Sequence, residues 1–403
     1  MVRNAYRARL KSHNLNKPSE LKAIEASCFK IGEPVPWNIY DAHGGLLLRK
    51  GFIIANAHQL AVFGDRALFV EKAEAEPHVQ RLALANVSVV CLLKEAALAL
   101  REGFRQIGSG QPWPDSHEKI HDIVKTLQLA IDLNTDICLA HIFFNKFTHA
   151  DYPLQHSLDT ALLALLLAQA LEKPEAELRF TTAAALTMNV GMLTLQEQLL
   201  KRSDKLTPTE KTRIRQHPEA GVELLRKAGV SDEDWLACVL CHHEKIDGSG
   251  YPGGLGAADI PQGARIVSLA DRYSACLSPR RFRPGMLATG IMRDLFIHQA
   301  ATLDVELAGM LVRILGIYPP GTFVRLQNGE LAVVVRRGKT GTTPLVISFV
   351  APRGGFLPYL IKRDTREKLF AVRGSVHLEA KDMPYTMSQL WGRQAEPEPS
   401  RES

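Results

Sequence analysis

The sequence predicts a mainly α protein in which a central helical domain lies between two small domains that contain strands. Short apolar segments broken by glycine occupy Cys28 to Val70, and apolar residues spaced three to four apart run from about Leu82 to Leu315. Runs rich in β-branched residues follow Gly316. The first and last patterns are typical of strands, whereas the middle pattern is that of helices with one apolar face.

Length and composition indicate a globular protein with two or three domains, at roughly 150 residues per domain. The chain has 403 residues, of which 46% are hydrophobic and 23% are charged. Lys and Arg number 49 against 43 Asp and Glu, which gives a net charge of +6. This small excess does not indicate DNA binding and predicts at most a mild attraction to anionic ligands.

The cysteines and the apolar runs predict a cytoplasmic protein without a membrane span. The N-terminus is basic and polar, so no signal peptide is expected. The longest apolar run, Thr160 to Leu171, is shorter than the roughly 20 residues of a membrane span and predicts a buried core helix. Six scattered cysteines fit reduced thiols better than a disulfide framework. They are Cys28, Cys91, Cys138, Cys238, Cys241 and Cys276.

The N-terminal part divides into two predicted segments. Residues 1–25 are polar and are expected to form a flexible arm, and residues 26–80 are expected to form a small α/β domain. Within it, Asp41 to Gly45 lies between apolar runs and predicts a hairpin turn. Residues 58–70 predict a short helix followed by a strand that begins at Ala67.

The helical region is predicted to cover residues 81–315. A helix start is expected at Thr207, Pro208 and Glu210, which have the order of a capping residue, a first-position proline and a capping-box acid. His117 and His121 lie one helical turn apart and are interpreted as part of a solvated helix face.

The C-terminal part is predicted to be a β domain over residues 316–380. Asn328 and Gly329 lie between two apolar runs, which is a strong hairpin signal. Residues 381–403 end in a stretch rich in proline and charge and are expected to be a disordered tail.

The residues that could carry chemistry are concentrated between positions 156 and 271. His242 and His243 precede Glu244 and a glycine-rich loop that runs to Gly254. Imidazoles and carboxylates are ligands of divalent iron, manganese or zinc, and a glycine-rich loop lets backbone amides approach a phosphate. Asp271 lies on an apolar helix, where a carboxylate needs a partner.

These residues resemble the signature of the HD-GYP family, a branch of the HD phosphohydrolase superfamily. The resemblance covers about residues 140–315 and includes, in the same order as in the family, His156, His217, His242 to Glu244 and Asp271. It implies an all-α domain that holds two or three ions of iron or manganese and hydrolyses the bacterial second messenger cyclic-di-GMP. The loop that would face a ligand or partner comprises Asp247, Gly248, Ser249, Gly250, Tyr251 and Pro252.

The chain departs from the family at the His-Asp dyad and at the lysine that follows it. The corresponding positions hold Met188, Asn189 and Met192. A neutral amide lacks the charge that a bridging carboxylate shares between two cations, and a thioether is too soft a ligand for such a site. Each lost contribution is typically worth about 10²–10⁴ in rate, so hydrolysis is expected to be lost or strongly impaired and no catalytic residue is assigned.

The leading hypothesis is a degenerate HD-GYP signalling protein that binds cyclic-di-GMP, a related dinucleotide or a signalling protein such as a GGDEF domain. The alternative is a metal-dependent phosphohydrolase that still hydrolyses cyclic-di-GMP. A third hypothesis is an adaptor without nucleotide affinity. One divalent ion, iron or manganese, is expected on the residual candidates, which are His156, His217, His242, His243 and Asp271.

Two other motifs in the chain have a bland and a functional interpretation. Cys238, Cys241 and His242 match a c-type haem attachment pattern, but that attachment requires export, so no haem is expected. Arg280, Arg281 and Arg283 are interpreted as a solvated loop, the alternative being a grip on phosphates or on an acidic partner.

Overall fold

The computed structural model of the chain describes residues 21–24, 29, 31–32, 34–35, 37–56, 58–59, 61, 67–71, 87–144, 152–200, 202, 204–278, 285–297, 301–378 and 383–396. The chain divides into two compact units, with the boundary between Val87 and Ser88. The mainly α fold with small sheets near both ends confirms the predicted fold class. The predicted basic cluster at Arg280, Arg281 and Arg283 lies outside the described residues, as does Cys28.

The N-terminal unit is built on a four-stranded sheet in the order β1-β4-β2-β3, with antiparallel pairing. Its strands are β1 (Leu21–Ile24), β2 (Ile39–Tyr40), β3 (Leu46–Leu48) and β4 (Leu68–Glu71). The predicted hairpin turn joins β2 to β3. It is stabilised by the Asp41 carboxylate, which accepts from the backbone N–H groups of His43 and Gly45 at 2.8 Å each. β1 contradicts the predicted flexible arm at its last residues, and residues 1–20 lie outside the described residues.

The second unit begins with ten helices among its described residues. They are α1 (Val89–Gly108), α2 (Ser116–Phe144), α3 (Tyr152–Ala170), α4 (Glu175–Thr187), α5 (Leu193–Leu200), α6 (Pro208–Ala228), α7 (Glu233–Cys241), α8 (Gln262–Leu277), α9 (Ala288–Ile297) and α10 (Val305–Leu315). A short 3-10 turn, Val190–Met192, joins α4 to α5. α3 is buried along almost its whole length, as the apolar run predicts, and the other helices surround it.

The start of α6 follows the sequence closely. Thr207 accepts from the backbone N–H of Glu210, and the Glu210 carboxylate accepts in return from the N–H of Thr207 at 2.8 Å. Pro208 occupies the first position, where its missing N–H costs no hydrogen bond. This capping box fixes the point at which α6 begins and therefore the turn on which His217 lies.

α2 is the one helix, in the part of the chain that the structure describes, that is long and apolar enough to cross a membrane by length and composition. Half of its most apolar window is buried inside the protein, as in a core helix. The helix also kinks at Asn134, whose backbone is extended (φ −163°) and whose side chain accepts from the N–H of Ile137 at 3.2 Å.

The C-terminal part of this unit is a five-stranded antiparallel sheet in the order β8-β7-β6-β5-β9. The strands are β5 (Phe323–Leu326), β6 (Leu331–Arg336), β7 (Leu345–Val350), β8 (Phe356–Asp364) and β9 (Val372–Ser375). The predicted hairpin between β5 and β6 turns at Gly329, whose φ of 92° favours glycine.

Two interpretations from the sequence are wrong in this unit. Residues 383–396 do not form a disordered tail, because they contain α11 (Met387–Trp391) and place Ala395 in the helical core at 1% exposure. Residues 397–403 lie outside the described residues. His121 is also not part of a solvated face, since its side chain is buried at 8% exposure. The burial could not be predicted because a polar residue among charged neighbours on a helix is typical of a surface.

Candidate functional site

Three histidines form a compact cluster between α6 and the end of α7. His217 lies in the middle of α6, and His242 and His243 follow directly after α7. Each offers one ring nitrogen, and these atoms lie within 4.8 Å of one another. Three of the five predicted metal candidates are therefore brought together.

The hydrogen bonds of two of these rings fix which nitrogen carries the proton. Nδ1 of His217 donates to the carbonyl of Ile214, and Nδ1 of His242 donates to the carbonyl of Val239 at 2.6 Å. The Nε2 lone pairs then face each other at 3.2 Å. Two lone pairs repel at this distance, whereas ligands around a tetrahedral ion with bonds of about 2.0–2.1 Å are about 3.3 Å apart.

Burial keeps these imidazoles neutral. It lowers the pKa of His217 to about 3, with a smaller lowering by the neighbouring His242. Burial likewise lowers the pKa of His242 and, more strongly, that of His243. Metal ligands must be deprotonated, so the cluster is in the form that binds a cation. The donor set therefore fits one divalent transition-metal ion.

The other two predicted candidates form a pair between α3 and α8. Nε2 of His156 donates to the Asp271 carboxylate at 2.8 Å, and the Ser274 hydroxyl is 3.1 Å from Nδ1 of the same ring. Burial alone would raise the pKa of Asp271, but the hydrogen bond from His156 lowers it below its ordinary value. Both ring nitrogens of His156 are thus engaged, whereas Asp271 is a buried anion beside the cluster.

A pocket of about 210 Å³ connects the pair to the cluster. The predicted residues that line it are His156, Asn189, Met192, His243, Tyr251 and Asp271. Tyr152 stacks on the ring of His156, with centroids 5.4 Å apart. Arg202 also lines the pocket, and it already donates to the carboxylates of Asp204 and Glu210. Sequence reasoning missed Tyr152 and Arg202, because neither belongs to a motif or to a periodic pattern that marks it.

The three positions that are predicted to depart from the family pattern lie in different surroundings. Met188 is fully buried in the helical core, whereas Asn189 and Met192 face the pocket. Asn189 is 2% exposed, and its Oδ1 has no hydrogen-bond partner within the part of the chain that the structure describes. A buried acceptor oxygen without a partner, in the pocket that His243 also lines, is suited to a cation or a polar ligand.

Gly191 explains how Asn189 comes so close to α6. A Cβ at position 191 would lie 2.3 Å from the carbonyl oxygen of His217 and 2.7 Å from the backbone nitrogen of Gly221. Only a residue without a side chain allows the two backbones to approach to this distance. The glycine therefore positions the 3-10 turn against the helix that carries His217.

The glycine-rich loop is organised from inside by Glu244. Its carboxylate accepts from the backbone N–H groups of Gly253, Gly254 and Leu255 at 2.6, 3.1 and 2.9 Å. Of the six predicted loop residues, the one that lines the pocket is Tyr251, whose ring lies 4.8 Å from that of His243. The guanidinium carbon of Arg215 lies over the Tyr251 ring, 4.9 Å from its centroid.

The c-type haem pattern has no support in the surroundings of its cysteines. Cys238 and Cys241 are buried, at 1% and 7% exposure, and burial raises the pKa of both thiols. Both are free thiols.

Comparison with known proteins adds independent information. Residues 139–307 match the family model described as an HD domain. The chain is 28% identical over 314 residues to a cyclic di-GMP phosphodiesterase of Pseudomonas aeruginosa, covering 78% of this chain and 73% of that protein. It is 33% identical over 152 residues to the cyclic di-GMP phosphodiesterase response regulator RpfG of Xanthomonas campestris, covering 38% of this chain and 40% of the relative.

Among solved structures, an HDG"Y"P protein of Bdellovibrio bacteriovorus overlaps with 73% of this chain and 99% of its own, at 18% identity and a TM-score of 0.46. The span of the family match contains all five predicted metal candidates, which are His156, His217, His242, His243 and Asp271. Residues 139–307 of this chain therefore match an HD domain, and the chain is similar to cyclic di-GMP phosphodiesterases.

Proposed function

We propose that this chain is a cytoplasmic signalling protein whose HD-GYP domain binds cyclic-di-GMP, a related dinucleotide or a signalling protein, with hydrolysis lost or strongly impaired. The observation that carries the proposal is the buried carboxamide of Asn189 at the wall of the pocket. A dinuclear centre needs an anion shared by two cations, and the amide supplies none.

The residues present would hold one ion. His217, His242 and His243 would bind it, and Asp271 would compensate part of its charge from beside the cluster. When bound, a divalent ion neutralises the charge of a phosphodiester and orients it. Met188 offers no ligand to a second ion, because its side chain is packed in the helical core.

The pocket itself supports binding of part of a nucleotide. Its volume of about 210 Å³ is too small to enclose a whole dinucleotide and is suited to one phosphodiester with its nearest substituents. Tyr251 and Tyr152 line the pocket and give it aromatic surface that a base can contact. Arg202 supplies a cation at the same wall, although a phosphate would compete with its carboxylate partners.

Hydrolysis of cyclic-di-GMP is the second candidate. It is favoured by the facing lone pairs of His217 and His242, which are arranged as for a bound cation. The relatives from Pseudomonas and Xanthomonas are described as cyclic di-GMP phosphodiesterases.

A turnover assay with cyclic-di-GMP and added iron or manganese separates the two candidates. The purified full chain is expected to bind the nucleotide and one metal ion or none, without detectable hydrolysis. Asn189→Asp restores the missing anion and is expected to raise the number of bound ions. Hydrolysis that is measurable in the natural chain and disappears in His243→Ala would refute the proposal in favour of the enzyme.

Binding without turnover needs its own control. Calorimetry with cyclic-di-GMP is expected to give heat that is abolished in Tyr251→Ala and retained in Tyr359→Ala, because Tyr359 is 73% exposed on β8 and is not part of the pocket. No binding to the natural chain, together with co-purification of a GGDEF-domain protein, would instead support the adaptor.

A further inference from the structure

A second group of potential metal ligands lies at the opposite end of α7 from the histidine cluster. His117 and His121 are four residues apart in the first turns of α2 and therefore project from one face. Asp232 is the N-cap residue of α7. One ligand atom from each of the three lies within 4.8 Å of the others.

We propose that His117, His121 and Asp232 form a second divalent-metal site, of the zinc type, that joins the start of α2 to the start of α7. The inference is independent of the function proposed for the HD-GYP pocket. α7 has 9 residues, so the two groups of ligands are separated by roughly 14 Å along its axis.

His121 gives the strongest indication that a ligand belongs there. Its side chain is buried, at 8% exposure, and neither ring nitrogen has a hydrogen-bond partner among the described residues. A buried polar group without a partner typically costs about 1–3 kcal/mol. A cation bound to one of these nitrogens would give that nitrogen a partner and remove part of that cost.

The other two side chains leave a suitable gap. Oδ1 of Asp232 accepts from the backbone N–H of Trp235 at 3.0 Å, which leaves Oδ2 unused by the cap. Oδ2 lies 3.8 Å from Nε2 of His117, too far for a hydrogen bond. Ligand atoms around a tetrahedral zinc ion are about 3.3 Å apart, so small side-chain rotations would complete the coordination.

The surroundings hold the ligands in place. The ring of Trp235 lies 5.9 Å from that of His117 and 5.7 Å from that of His121, and its Nε1 donates to Thr187 at 2.8 Å. This fixed indole forms an apolar wall that limits rotation of both imidazoles and restricts solvent. The side chain of His117 is 44% exposed and leaves an entrance.

The donor set determines the class of cation. Two imidazoles and one carboxylate, with a fourth position open to water, are typical of zinc and are poor ligands for calcium or magnesium. Burial, with a smaller contribution from His117 and Arg179, lowers the pKa of His121 to about 4, so this ring is neutral and able to coordinate near pH 7. Arg179 and Lys125 are the nearby cations that weaken the site, and Asp232 is the anion that opposes them.

Zinc binding to the metal-free full chain tests the proposal. Equilibrium dialysis against Zn²⁺ is expected to show one ion fewer per chain in His121→Phe than in the natural chain, because phenylalanine keeps the ring but removes the ligand. Asp232→Asn is expected to weaken the same ion at least tenfold, and asparagine retains the helix cap. Glu118→Gln is the matched control, since this exposed neighbour lies outside the cluster.

Cobalt provides a second readout. Co²⁺ bound at a tetrahedral site gives a strong visible absorption. His121→Phe is expected to remove the part of this absorption that comes from the second site, and His243→Ala is expected to retain that part. If His121→Phe and Asp232→Asn both bind zinc with the stoichiometry and affinity of the natural chain, the proposal is wrong. Circular dichroism shows whether each variant is folded. If His121→Phe does not fold, zinc binding by Asp232→Asn decides the outcome.

Discussion

A single carboxyl group in the core gives the chain an unusual response to pH. Asp159 lies on the buried helix α3 at 2% exposure, and burial raises its pKa well above the ordinary value. Its partner is Gln155, whose Nε2 donates to Oδ1 at 2.7 Å. In the folded chain this group holds a proton that the unfolded chain releases above a pH of about 3.8.

Replacing Asp159 with asparagine is expected to stabilise the protein at high pH. The unfolded state binds fewer protons than the folded state above pH 3.8, so the contribution of Asp159 to stability is present below that pH and is lost as pH rises. Asp159→Asn keeps the hydrogen bond from Gln155 and should raise the free energy of unfolding at pH 8 by at least about 1 kcal/mol.

Denaturant unfolding at two pH values checks this expectation. The gain from Asp159→Asn should be much smaller at pH 4, because the unfolded chain has only begun to release the proton close to its pKa of 3.8. Asp122→Asn is a control, because Asp122 is an exposed partner of Lys125. An equal effect of Asp159→Asn at pH 4 and pH 8 would contradict the raised pKa.

Single residues also show where sequence reasoning succeeds and where it fails. The set His156, His217, His242, His243 and Asp271 could be predicted because these residue types recur in a family order, and the structure places them around one pocket and its adjoining cluster. The burial of His121 could not be predicted, because it depends on Trp235, a residue 114 positions away that packs against its ring.

At the scale of elements, the loop after α7 depends on one side chain. The Glu244 carboxylate accepts hydrogen bonds from the backbone N–H groups of Gly253, Gly254 and Leu255. These three amides are therefore satisfied by one side chain. This arrangement holds Tyr251 against His243 at the pocket. The loop is consequently an ordered part of the site, although it is rich in glycine.

Glu244→Gln is expected to loosen this loop without unfolding the domain. An amide nitrogen cannot accept from a backbone N–H, so at least one of the three hydrogen bonds is lost, at a cost of about 1–3 kcal/mol. Amide hydrogen exchange at Gly253, Gly254 and Leu255 should become about tenfold faster or more. Asp247→Asn is the control, since the Asp247 side chain bonds Ser249 and is not a partner of the three amides that Glu244 holds.

The elements themselves follow the sequence unevenly. Hairpin turns and the start of α6 are encoded by neighbouring residues, so local chemistry predicts them. α11 follows a capping box of Thr386 and Gln389, a local signal that the prediction of a disordered tail did not take into account. Its order depends on distant contacts such as the bond from Trp391 Nε1 to the carbonyl of Val335 at 2.8 Å.

At the scale of the second unit, an arginine ties the sheet to the helices. Arg337 follows β6, and its Nε donates to the Asp136 carboxylate on α2 at 2.6 Å. One of its terminal nitrogens donates to the carbonyl of Ile314, at the end of α10, at 3.1 Å. The same boundary includes contact between the rings of Phe144 and Phe323.

Arg337→Ala is expected to destabilise the unit by about 1–3 kcal/mol, because it leaves a carboxylate and a helix-terminal carbonyl without their partner. Thermal unfolding followed by circular dichroism should show a lower midpoint. Arg366→Ala is the matched control, since the pair of Arg366 with Asp364 is exposed and such pairs contribute little. Equal midpoints for the two variants would show that Arg337 does not hold the sheet in place.

The first and last described residues of this unit are joined to each other. The hydroxyl of Ser88 donates to the carbonyl of Gln394 at 3.3 Å and also bonds that of Glu396, and Ala395 fills the core beneath α1. During synthesis, the helical core therefore cannot be completed until residue 396 has left the ribosome. Premature termination even a few codons upstream would yield a product that exposes apolar surface to proteases and chaperones.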